Sequence, residues 1–183
     1  MTWLILLILL LAPPLWALIA YNRLIRLRNQ TRTAWADIDV QLTRRHDLVP
    51  QLVSTVQAAA QHEQATLSRV TELRAQALAL SSPAALGAVE LQLEQAIGRL
   101  FALREAYPEL RVSENFLALQ RDLVQIEDHL QMARRFYNGA VRDYNDAVQR
   151  VPDLLVARAG GFIDAEFYQA RDSERAAAQV QLP

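Results

Sequence analysis

Histidines 46, 62 and 129 are the side chains of this 183-residue chain best suited to general-base or metal chemistry. His62-Glu63 opens like a zinc-protease helix, which needs a second histidine four residues after the first, but position 66 is Thr. A di-iron site in a helical bundle needs a glutamate three residues before a histidine, and those positions hold Thr43, Ala59 and Ile126. The chain has no cysteine, which removes thiolate metal sites, iron–sulfur clusters and cysteine nucleophiles. All 19 basic residues are arginine, so Schiff-base and phosphate-loop lysines are gone too. No glycine-rich phosphate loop and no serine in a nucleophile elbow is present. Glu127, Asp128 and His129 are neighbours whose side chains leave a helix in different directions, which predicts a solvated face. The expectation is a non-enzyme with no catalytic, cofactor-binding or metal residues. A net charge of -1 also argues against nucleic acid as a partner.

The elements that would position any site are helical. From Thr2 to Asn22 no side chain is charged, and the 20-residue run TWLILLILLLAPPLWALIAY would rise about 30 Å as a helix, roughly a bilayer core. Trp3 and Tyr21 sit near its ends, and Pro13-Pro14 predicts a mid-span kink. A cleaved signal peptide is the competing reading, but no basic residue precedes Arg23. Arg23, Arg26, Arg28 and Arg32 follow the run, which places the N-terminus outside and the bulk of the chain in the cytoplasm.

Beyond the run, apolar residues recur at steps of three and four. The series from Trp35 to Leu80 keeps its phase across Pro50, which predicts one long helix kinked there. Ser81-Ser82-Pro83 reads as a turn, with Ser82 as N-cap and Pro83 at the first helical position. A second helix runs through Leu86, Leu93 and Leu100 to about Tyr107-Pro108. Ser113 caps a third, whose seam runs from Phe116 to Val151. Pro152 ends it, Asp153 to Ala159 looks like one or two more turns, and Gly160-Gly161 breaks the chain. A short amphipathic piece carrying Phe162, Ile163, Phe167 and Tyr168 follows. The expected fold is all-α: an antiparallel, coiled-coil-like bundle of long helices with one N-terminal transmembrane helix. Its parts are the anchor at 1–22, the bundle at 23–169 and a frayed tail at 170–183.

Two charges stand at seam positions, Arg45 and Glu63. They are 18 residues apart on the expected helix, so they cannot pair with each other, and each needs water or a partner on another helix. They are polar pins that set register or, with the Pro50 kink between them, elements of a switch. Tyr137-Asn138 and Tyr144-Asn145 repeat at seven residues on one stripe, which predicts a polar layer satisfying the hydroxyls.

Several blocks together resemble the LemA family: Tyr21 to Val56, HEQATL at His62 to Leu67, Ala106 to Leu123, and Ile126 to Asn145. The resemblance covers nearly the whole chain and implies an N-terminal anchor, an antiparallel bundle and no catalytic residue or cofactor. Where Ala159-Gly160-Gly161-Phe162 stands, the family usually has Phe-Gly-Phe, so a contact of that first aromatic is missing here. The expected function is a single-pass scaffold or adaptor in the cell (inner) membrane, acting through contacts with the bilayer, unidentified proteins or further copies of itself. A membrane-tethered regulator or stress sensor, switching on a partner or lipid, is the alternative.

Overall fold

The computed structural model describes residues 2–168, except the side chains at 4–6 and 8. Its order is α1 (Thr2–Ala59), α2 (Gln64–Leu78), α3 (Pro83–Ala102), a 3-10 turn at Leu103–Glu105, α4 (Pro108–Val112), α5 (Glu114–Gln149) and α6 (Asp153–Ala159). Among the described residues there is no strand, so the all-α expectation holds. Among them, too, no helix is long and apolar enough to cross a membrane, and the four undescribed side chains fall inside the expected anchor. The expected tail at 170–183 lies outside the described residues.

The single helix expected from Trp35 to Leu80 is corrected. The backbone stays helical through Pro50 and turns instead at 60–63, where the Ala60 amide donates to Val56 O (2.7 Å) and that of Glu63 to Ala60 O (3.2 Å). The cause is burial. Val49, Leu52 and Val56 of α1 share one core with Leu67, Val70 and Leu73 of α2, Leu93 and Leu100 of α3, and Phe116 and Leu119 of α5. A straight continuation would strip three large α2 side chains of that core, at roughly 1.5–3 kcal/mol each, to save a few backbone bonds.

The caps agree with the sequence. Ser82 Oγ accepts from the Ala85 amide (3.4 Å) with Pro83 opening α3, and Ser113 Oγ accepts from Phe116 N (3.3 Å) ahead of α5. Val151, the expected last seam residue, is exposed because α5 has already ended at Gln149.

The chain divides into two compact units. The first takes the residues up to Asp37 together with Arg135–Glu166. There α1 and α5 run antiparallel: Trp35 stacks on Tyr137, Leu24 shares a core with Tyr144 and Ala147, and Arg23 reaches Asp153. The second unit takes Ile38–Arg134 and the chain from Phe167 on. In it Arg45 meets Glu127 and Thr55 meets Asn115, the same antiparallel sense, and α2 packs along α3.

Candidate functional site

The second unit buries charges where its helices meet. Arg45, only 2 % exposed, projects from the α1 seam between Leu42 and Val49. Its Nη1 donates to Glu90 Oε2 on α3 (3.1 Å), and its Nη2 donates to Glu127 on α5. His46 Nε2 lies 2.7 Å from the other Glu90 oxygen, and Arg74 of α2 donates through Nε to the His46 carbonyl (2.8 Å). Glu127 also accepts from Arg134 Nη1 at 3.4 Å, and Glu94 stands 4.0 Å from the same nitrogen. Tyr168 closes the cluster, with the Arg134 guanidinium 5.2 Å from its ring centre. Burial pushes the Tyr168 phenol up to about 12; Glu90 adds to the rise, while Arg134 and Arg45 oppose it.

Every one of the four larger helices of this unit thus bonds into one network. Glu90 is fully buried, and a carboxylate so placed is tolerable only with its two oxygens occupied, here by Arg45 and His46. The arrangement ties the four helices in one register. Among the described residues no group of three or more His, Asp or Glu is placed to hold a metal ion.

The sequence-selected residues fare differently. Arg45 does reach partners on other helices. Glu63 does not sit in a seam: it precedes α2 in the turn, half-buried, and accepts from the Tyr107 hydroxyl (3.3 Å). Burial and the Glu63 charge both raise the Tyr107 phenol. Pro50 is exposed on a helix that continues through it. These three therefore do not form one site.

Glu127 is corrected as well, from a solvated face to a partner of Arg45. Of its neighbours, Asp128 is exposed and His129 half-buried. Glu90 and Arg134 join the cluster without having stood out in the sequence, His46 enters it as a partner of Glu90, and Tyr168 comes from the amphipathic piece after Gly161. A signal existed for Glu90, because Leu86, Glu90, Leu93, Ile97 and Leu100 follow steps of four and three.

In the first unit the hydroxyls of the Tyr–Asn stripe and Asn145 bond the backbone of the segment after Gly161, while the Tyr137 ring stacks on Trp35 of α1. The Tyr137 hydroxyl donates to Glu166 O (2.8 Å) and that of Tyr144 to Ile163 O (2.9 Å). Asn145 clamps Ala165 from both sides, donating to its carbonyl (3.0 Å) and accepting from its amide (2.8 Å). Asn138 is half-buried beside them. The irregular segment after Gly161 thereby regains hydrogen bonds that a helix would have supplied. Burial is the main cause raising both phenols.

A family model described as LemA family matches residues 34–182. The chain belongs to the LemA family. The matched region of this LemA protein takes in the whole buried cluster and the Tyr–Asn stripe, and begins after the apolar run. Among its relatives are the Magnetosome proteins MamQ 1 and MamQ 2 of Paramagnetospirillum magneticum. Each is 24% identical over 180 residues, covering 84% of this chain and 66% of theirs. Magnetosome protein MamQ of Magnetospirillum gryphiswaldense is 22% identical over the same shares. The chain thus spans just under two thirds of the length of these curated relatives.

Proposed function

We propose that this LemA protein is a single-pass, membrane-anchored helical scaffold that acts through protein–protein contacts and catalyses no reaction. The observation that carries this reading is the N-terminal stretch of α1. Its charge-free run leaves Trp3, Leu9, Leu10, Leu15 and Ile19 exposed, with Trp3 83 % accessible. Side chains that large and that contiguous cost free energy in water and none in lipid. The same helix continues into the buried core, so the anchor and the bundle are one element. The arginines at 23, 26, 28 and 32 support a cytoplasmic bundle and an external N-terminus. The partners of such a scaffold are other proteins or copies of itself.

The native chain lacks cysteine, so a single Val112→Cys substitution, at an exposed site, makes the test specific. Intact cells or spheroplasts are treated with a membrane-impermeant thiol reagent, and membranes are then washed in high salt. The expected result is a protein that stays with the membrane and is labelled only after lysis. Release by salt would overturn the anchor; labelling of intact cells would overturn the orientation.

The regulator reading keeps one specific support, Glu127, which is shared between Arg45 and Arg134. Arg45 takes one oxygen of this carboxylate and Arg134 the other, so a partner or lipid that drew either arginine away would be felt at the second.

A further inference from the structure

We infer that the corner between α5 and α6 in the first unit is a second membrane contact, which seats the bundle on the anionic headgroup layer of the bilayer that its anchor spans. This rests on the anchored reading above. Asp153, which opens α6, is buried and bonded to Arg23 (3.1 Å), the first charged residue after the apolar run. Just past the other end of α6, Phe162 packs edge-on against Tyr21 with ring centres 5.5 Å apart. The corner is therefore tied at both ends to the point where α1 would leave the hydrocarbon. Asp153 and Ala157 turn one face of α6 towards α1. What remains outward is apolar with a basic rim: Val151 is 73 % and Leu155 65 % exposed, and Arg150 and Arg158 are exposed beside them.

Arg26 is exposed on α1 nearby in sequence, adding to the positive rim. Of the acids in this unit near the corner, Asp153 is neutralised by Arg23, while Asp146, Asp164 and Glu166 are exposed and keep their charge; the positive rim is therefore local, made by Arg150 and Arg158 beside Val151 and Leu155. Apolar side chains framed by arginine are the composition of an interfacial contact: the hydrocarbon enters the acyl boundary while the guanidiniums meet lipid phosphates. The surface lies beside Tyr21 and Arg23, where the charge-free run ends, so the bilayer that the run would enter is the occupant the geometry favours.

The test reads depth. Single-cysteine full-length chains Leu18→Cys, Leu155→Cys, Val151→Cys and Arg142→Cys carry a small fluorophore and are reconstituted into vesicles of phosphatidylcholine with or without phosphatidylglycerol. Nitroxides on the headgroup or along the acyl chain serve as quenchers. Leu18 reports the anchor, and Arg142 is an exposed position two turns earlier on α5. The expected result is deep quenching at Leu18 and shallow quenching at Val151 and Leu155. The latter should exceed that at Arg142 by roughly twofold or more and grow with phosphatidylglycerol. Deep quenching at Leu18 with Leu155 no different from Arg142 overturns the contact and leaves the anchor standing. No quenching at Leu18 overturns both. Equal quenching at Leu155 in both lipids overturns the anionic assignment.

Discussion

At the scale of the residue, the buried network has unequal members. Arg45 has two carboxylate partners, and among the described residues Glu90 bonds Arg45 and His46. Arg45→Leu takes the guanidinium away from a fully buried carboxylate and leaves it His46, and is expected to destabilise the chain by about 3–5 kcal/mol in urea unfolding. Arg45→Leu with Glu90→Leu removes both charges and should recover most of that loss, as buried pairs replaced by apolar groups often do. A double variant as unstable as the summed singles would show that the two side chains do not act as a pair. Arg45→Leu combined with Glu63→Leu is expected to be additive, since Glu63 bonds Tyr107 and not the cluster. Sequence alone identified Arg45 as misplaced and required that it find a partner elsewhere. It could not choose the partner, because two interleaved seams on α3 place either Val89 or Glu90 inward and only packing decides between them.

At the scale of the element, most of the fold was legible and the exceptions share a cause. Caps and breakers act locally, so Ser82, Pro83, Ser113 and Gly160-Gly161 marked their boundaries correctly. The turn at 60–63 carries no glycine or proline and leaves the three-four spacing intact on both sides, so periodicity reads straight through it. Only the shared core of α1 and α2 demands the fold-back. The segment after Gly161 was hidden for a related reason: its hydrogen bonds come from Tyr137, Tyr144 and Asn145, far away in sequence. Gly161 has φ +68°, a left-handed conformation that costs an L-residue about 1–2 kcal/mol, so Gly161→Ala should lower stability by about that much. A Cβ at Gly160 would stand 2.6 Å from the Phe162 ring and 3.2 Å from Tyr21. Gly160→Ala is therefore expected to displace Phe162, and near-ultraviolet circular dichroism of the aromatic contacts should weaken. An unchanged spectrum would mean the ring has room to move. Asn145→Ala loses both bonds to Ala165 and should cost about 1–3 kcal/mol, with faster amide exchange confined to the segment it holds.

At the scale of the whole molecule, composition makes alkaline titration unusually clean. With no lysine and no cysteine, the five tyrosines are the side chains left to lose protons between about pH 9 and 12, because arginine titrates higher. Tyr168 is raised to about 12, chiefly by burial, against about 10 in an unfolded chain. A phenol that holds its proton more tightly when folded favours the fold at lower pH. Between 10 and 12 the unfolded chain binds fewer protons, so stability must fall as pH rises through that window. The gap is worth at most about 3 kcal/mol for this residue. Phenolate absorbance should therefore show a component near pH 12 that is absent in Tyr168→Phe, and unfolding free energy measured from pH 9 to 12 should decline more gently in that variant. Tyr107, Tyr137 and Tyr144 are raised in the same direction, so some decline will persist. If the parent and Tyr168→Phe lose stability with the same slope, the Tyr168 ring is not sealed over Arg134. The cluster would then be open to water at the end where the chain closes it.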